Sequence, residues 1–283
     1  MELEFAQKIL KKFKIDDTII SINQNKTGLI NQTFELSTHE NKYILQRINT
    51  QIFPNYQQGL ENIILIKKWL KKTNYSYEFP SPLQNQYLNF KEKIWRLLPF
   101  VKKSNSINKV SNIIEAEEAV KCMAEFYNCL EDIPIEKLNI TIPNFHSGKH
   151  KILAFNKALK NSNQLRKQNA WSLILEIERN LKILAEWDEI CRKLPKRIIH
   201  FDTKINNFLF EKTTNKVIAL IDLDTLMPGC ILSDVGDMIR TYSNPMGEES
   251  KDISKVICNK NIVAAILKGV KDSLSHKEIE YLN

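Results

Sequence analysis

Leu3, Ala6, Ile9, Leu10 and Phe13 recur at helical spacing, so the first turns of the chain, residues 2 to about 13, are predicted to be an amphipathic helix. Three β-prone runs follow, Thr18–Ile22, Gln32–Leu36 and Tyr43–Ile48, separated by polar turns around Thr27-Gly28 and His39-Glu40-Asn41, which predicts an antiparallel meander. Leu60, Ile63, Ile64, Ile66, Lys67 and Leu70 mark a second helix. Pro80 and Pro82 then break the chain before two short strands at 87–90 and 94–98. Beyond Pro99 the pattern turns mostly helical, over 113–130, 150–159 and 170–194. The expectation is an α+β chain in two lobes: residues 1–100 with an antiparallel sheet and a helix, and residues 101–283, larger and mostly helical.

Within the helical half lies a β-prone island of three runs too short for helices: Arg197–His200, Asn207–Phe210 and Val217–Ile221. A last helix is predicted from about 253 to 274. The loops of the island carry the candidate chemistry. Asp202 follows an apolar strand, Lys204 and Asn207 follow it on the same loop, and Asp222 ends the third run. An Asp after a strand is commonly a turn former and an Asn pair commonly a loop; all four together, between apolar strands, point to chemistry. An Asp can orient a hydroxyl and take its proton, a Lys can meet a moving anion, and Asn and Asp oxygens are hard ligands for a divalent cation. His200 is expected to hold the loop by hydrogen bonds.

Composition narrows the class. Hydrophobic residues at 43% and charged residues at 26% are ordinary for a globular chain. No apolar run approaches a membrane span, and the acidic, amphipathic start is unlike a signal peptide, so a cytoplasmic protein without membrane partners is expected. The formal charge of +8 comes from short lysine groups spaced as solvated helix faces, which argues against nucleic acid as a partner. The five cysteines form no C-x-x-C pair and are expected to be buried free thiols.

The order Asp202, Lys204, Asn207 matches the kinase catalytic loop H-R-D-x-K-x-x-N, with Asp222 placed as the second metal-binding carboxylate would be. With Ile221-Asp222-Leu223-Asp224-Thr225-Leu226-Met227-Pro228-Gly229 and Asp234-Val235-Gly236-Asp237, the chain resembles the aminoglycoside phosphotransferase and choline kinase superfamily. Within it, the chain is most similar to the N-acetylhexosamine 1-kinases. Weaker echoes at Gly28–Asn31, Ile44–Asn49, Glu61–Ile63 and Ile142–His146 extend the resemblance over nearly the whole chain.

The resemblance implies a two-lobed protein-kinase-like fold with ATP between the lobes, Mg2+ as cofactor, and a small-molecule sugar as substrate. By position it makes Asp202 the catalytic base, Lys204 its catalytic neighbour, and Asn207 and Asp222 the metal ligands. Arg47 on the third strand would meet the ATP phosphates, with Glu61 as its ion-pair partner; the alternative is an exposed strand Arg and a surface Glu in a weak pair. The chain has seven glycines and neither G-x-x-x-x-G-K-[ST] nor G-x-G-x-x-G, so a loop around Lys26, Thr27 and Gly28 is expected to cover the phosphates. Members of the resembled group continue beyond the position of Asn283 with further helices, so the expectation is either an open acceptor pocket or a shortened gene product.

Two other functions fit the same residues. A kinase of another hydroxyl compound, such as an aminoglycoside, choline or a different sugar, would keep Asp202, Asn207 and Asp222 and change the acceptor pocket. A cationic acceptor would need carboxylates, for which Asp234, Asp237, Glu248 and Glu249 are available, although Asp234 and Asp237 are expected rather to cap and orient a helix through Met238-Ile239-Arg240. A non-catalytic nucleotide-binding pseudokinase is the remaining alternative.

Overall fold

The computed structural model describes residues 1–25, 30–248, 250 and 252–282. Helix α1 (Leu3–Lys12) buries Ala6, Ile9 and Leu10 at the predicted spacing. It lies on a five-stranded antiparallel sheet made of β1 (Ile19–Asn25), β2 (Gln32–Thr38), β3 (Lys42–Arg47), β4 (Leu88–Phe90) and β5 (Lys93–Pro99), in the order β1-β2-β3-β5-β4. Strand alternation sends Phe34, Leu36, Leu45, Trp95 and Leu97 to the face covered by α1, where they form one core with Ile9, Leu10 and Phe13. The opposite face carries Thr33, Gln46 and Arg96, polar groups that need partners elsewhere.

Helix α2 (Tyr56–Lys72) connects β3 to β4, but its apolar stripe Ile63, Ile66 and Leu70 joins a second, larger core. That core is built on α3 (Ile113–Cys129), whose start is capped by the Asn112 side chain accepting from the Glu115 N–H. An arm of α4 (Gly148–Asn161), α5 (Gln164–Asn169) and α6 (Trp171–Lys193) precedes the β-prone island. Asp188 on α6 caps the arm by accepting from the N–H groups of Gly148 at 2.8 Å and Lys149 at 2.7 Å.

The island divides between two small sheets. Strand β7 (Arg197–Ile199) pairs with β10 (Met227–Gly229), while β8 (Phe208–Glu211) pairs on one side with β9 (Val217–Leu220) and on the other with the short β6 (Ser104–Asn105). After β10 come α7 (Leu232–Tyr242), α8 (Lys260–Val270) and α9 (His276–Glu280). The single helix predicted over 253–274 is instead three pieces. A 3₁₀ turn at Ile253–Lys255 ends before Asn259, whose side chain caps α8, and a second 3₁₀ turn follows at Lys271–Ser273. All five cysteines are free thiols; Cys122 and Cys230 are buried as expected, whereas Cys258 is exposed. Among the described residues no helix is long and apolar enough to cross a membrane.

Candidate active site

The loop after β7 is held by contacts the sequence pattern did not announce. Phe201 adopts a left-handed backbone (φ 64°), which costs a non-glycine residue about 1–2 kcal/mol. Asp234, wholly buried in the first turn of α7, holds that turn. Its carboxylate accepts from the N–H groups of His200 at 2.8 Å and Phe201 at 2.7 Å, and from the Tyr127 hydroxyl at 2.9 Å. Burial pushes the Asp234 carboxyl up to about 6, against the downward pull of those donors. Asp234 is therefore not a helix cap but the anchor of the loop. His200 also holds the loop: its Nε2 lies 3.0 Å from the Ile221 carbonyl, linking the loop to the end of β9.

The next residue, Asp202, is thereby presented beside Lys204 and Asn207. Lys204 Nζ lies 3.2 Å from Asp202 Oδ1 and 3.9 Å from Glu248 Oε2. Burial works against the charge on Lys204, but the carboxylates of Asp202, Glu248 and Asp222 more than compensate and its pKa is raised. Asn207 Nδ2 donates to the Asp202 carbonyl at 2.7 Å and to Asp202 Oδ2 at 3.0 Å. Asn207 Oδ1 accepts no hydrogen bond among the described residues. The Asn207 carbonyl in turn accepts from the Ile221 N–H at 2.9 Å, joining this loop to the one that carries Asp222.

Asp222 is also left-handed (φ 60°) and opens a 3₁₀ turn, Leu223–Thr225. Its carboxylate has no ion pair or side-chain hydrogen bond among the described residues. The surrounding cleft walls, with the negative charges of Asp224 and Asp202, push it up to about 7. The residue still faces open cleft, whose water screens part of that effect. An electron-rich carboxylate without a cation and an amide oxygen without a donor, on two hydrogen-bonded loops, are a donor set that suits a hard divalent cation. The fit to Mg2+ is therefore good for Asn207 and Asp222.

The structure does not bring Arg47 and Glu61 together. Arg47 pairs across from Trp95 and lies two residues beyond Leu45, so it leaves the sheet on the α1 face, away from Asp222. Glu61 lies exposed on α2 and accepts from Asn139 Nδ2 at 3.1 Å. No ion pair among the described residues joins the two. On the cleft face stands Arg96 of β5, which pairs through both terminal nitrogens with Asp224 (Nη2 to Oδ2 2.9 Å). A signal for it was present: a lone Arg inside the apolar run Lys93–Pro99 has to find an anion. Thr27 and Gly28 lie outside the described residues.

A cavity of about 640 Å³ opens on the other side of Phe201, walled by Phe145, His146, Trp187, Phe201 and Met227. Asp202, Asn207 and Asp222 do not line it. Burial lowers the pKa of His146 there, and its Nδ1 contacts the Ser233 hydroxyl.

Residues 21–252 match the phosphotransferase enzyme family, APH. The chain belongs to this family. Its fold is kinase-like, as comparison with solved phosphotransferases shows. A GDP complex of a variant of aminoglycoside 2′-phosphotransferase IIIa is similar at a TM-score of 0.65 and 15% identity, covering 99% of this chain and 85% of that one. A spectinomycin phosphotransferase with ADP and spectinomycin gives 0.63 at 12% identity, covering 98% and 82%. A macrolide 2′-phosphotransferase from Brachybacterium faecium gives 0.56 at 12% identity, covering 96% and 82%.

Proposed function

We propose that this family member is a cytoplasmic kinase that transfers the γ-phosphoryl group of ATP to the anomeric hydroxyl of an N-acetylhexosamine, GlcNAc or GalNAc, giving the sugar 1-phosphate and ADP. The observation that carries the phosphotransfer reading is the convergence of Asp202, Lys204 and Asn207 within hydrogen-bonding reach, beside an unpaired Asp222. Asp202 orients the acceptor hydroxyl and takes its proton as the new O–P bond forms. Lys204 faces the charge on the moving phosphoryl group, and Asn207 and Asp222 hold Mg2+. When bound, that ion would neutralise charge on the phosphates. Nucleotide would lie between the cleft face of the sheet and these loops.

A neutral acceptor is favoured over a cationic one by the state of the nearby carboxylates. Asp234 is saturated by three donors. Asp237 pairs with Arg240 at 2.8 Å, and Glu248 pairs with Arg240 at 2.9 Å and lies 3.9 Å from Lys204. Asp234, Asp237 and Glu248 are thus already engaged within the protein, which leaves them poorly placed to receive an aminoglycoside or choline; Glu249 lies outside the described residues. The test is ATP consumption with Mg2+ across a panel of N-acetylhexosamines, other sugars, choline and aminoglycosides. Turnover restricted to the N-acetylhexosamines is expected. Turnover with a cationic acceptor alone would refute the sugar assignment, and nucleotide binding without turnover on any acceptor would favour a pseudokinase.

A further inference from the structure

Arg96 stands at the centre of an apolar strand and is only 2% exposed. Four of its N–H bonds are committed. Nε donates to Gln46 Oε1 at 2.8 Å, Nη1 donates to the Tyr87 hydroxyl at 3.3 Å and to Asp224 Oδ1, and Nη2 donates to Asp224 Oδ2 at 2.9 Å. So engaged, it is not a cation free to meet a phosphate. Burial opposes its charge, and Asp224 restores it.

Asp224 carries more than this pair. Its Oδ2 also accepts from Asn31 Nδ2 at 2.8 Å, while Asn31 Oδ1 accepts from the Asn49 N–H at 2.9 Å. Residues 31 and 49 bracket the β2–β3 hairpin, so a single carboxylate from the second core ties down strand β5 and both ends of that hairpin. The turn bearing Asp224 is held on its far side as well, by Thr225 Oγ1 donating to the His200 carbonyl at 2.5 Å and Asn62 Nδ2 donating to the Leu226 carbonyl at 3.0 Å. Asp222 opens this turn. A bidentate fork fixes distance and orientation together. Because a buried ion pair contributes little net stability compared with apolar groups of similar volume, its use here is better explained by the geometry it specifies.

We propose that Arg96 is a positioning residue: acting through Asp224, it fixes the Asp222 turn against the sheet. This rests on the reading of Asp222 as a metal ligand. The test is ATP affinity by calorimetry, with and without Mg2+, on the full chain and on Arg96→Lys and the double variant Arg96→Met/Asp224→Leu. The double variant removes both charges at once and strips a partner only from the half-buried Asn31, Gln46 and Tyr87, so its thermal midpoint should fall less than that of a variant that removes one charge alone. Both variants should lose about tenfold or more of the tightening that Mg2+ confers, as loss of a group that orients a metal ligand does, while affinity without Mg2+ changes by less than about twofold. A lowered thermal midpoint with the Mg2+ response intact in either variant would mean the pair is merely structural and would overturn the proposal. If ATP binds the unaltered chain no more tightly with Mg2+ than without it, the metal reading itself fails, and this proposal with it.

Discussion

Asp234 offers a direct test of how the catalytic loop is held. Replacing it by Ala leaves three buried donors without an acceptor: the N–H of His200, at a residue with 0% exposure, the N–H of Phe201 at 9%, and the hydroxyl of Tyr127 at 2%. Each unsatisfied buried donor costs about 1–3 kcal/mol, and water entering the vacated space would recover part of that, so a loss of about 3–6 kcal/mol is expected. That is a large share of the roughly 5–15 kcal/mol that stabilises a typical domain. Asp234→Asn keeps one acceptor oxygen but turns an NH₂ group toward backbone donors, for an expected loss of about 2–3 kcal/mol. The order of stability should be wild type, Asn, Ala in urea unfolding followed by tryptophan fluorescence, with the denaturant slope unchanged between variants. Where the Asn variant is still folded, its turnover should fall, because the left-handed Phe201 no longer has its full restraint and Asp202 is the next residue. An Ala variant within about 1 kcal/mol of the wild type would refute the reasoning that the loop depends on these bonds.

The other expectations concern the chemistry more directly. Asp202→Asn should lower kcat by about 10²–10⁴-fold with little change in ATP affinity, since only the proton-accepting role is removed; near wild-type turnover would exclude Asp202 as the base. The Asp222 carboxyl is raised from 3.8 to about 7, so the metal-free folded chain takes up a proton between those values, and the contribution of Asp222 to stability falls as pH rises through that window. Because Mg2+ must displace that proton, Mg2+-dependent ATP binding should strengthen from pH 6 to 8 and release protons to the buffer beyond what the ATP γ-phosphate alone contributes, and that excess should be absent in Asp222→Asn. Gly229→Ala would set a methyl carbon 2.6 Å from Ile199 Cδ1 and 2.7 Å from Phe201 Cε2. It should cost about 1–3 kcal/mol in thermal unfolding and reduce kcat through the displaced Phe201.

What the sequence makes legible here is what lies close together along it. Asp202, Lys204 and Asn207 share one loop, and Asp222 lies two residues past the strand that pairs with the strand following Asn207, so periodicity and spacing alone bring the four together. The Arg47 assignment failed for a reason of the same local kind. Ile44 and Leu45 are both apolar, so the strand shows no alternation from which to read its cleft face, and only the register Gln46↔Arg96 and Arg47↔Trp95 tells the two faces apart. The contacts that hold the loops join segments far apart in the chain: Asp234 reaches His200, Arg96 reaches Asp224, and Asn62 reaches Leu226. Each uses a polar residue within an otherwise apolar setting, where burial forces a partner but does not say which. A buried charge in an apolar run can therefore be read from sequence as a demand for a partner. In this chain that demand, once met, aligns the sheet with the turn of Asp222. The local pattern thus supplies the reacting groups, while their relative placement depends on long-range polar contacts. Those contacts are where substitutions should separate turnover from stability.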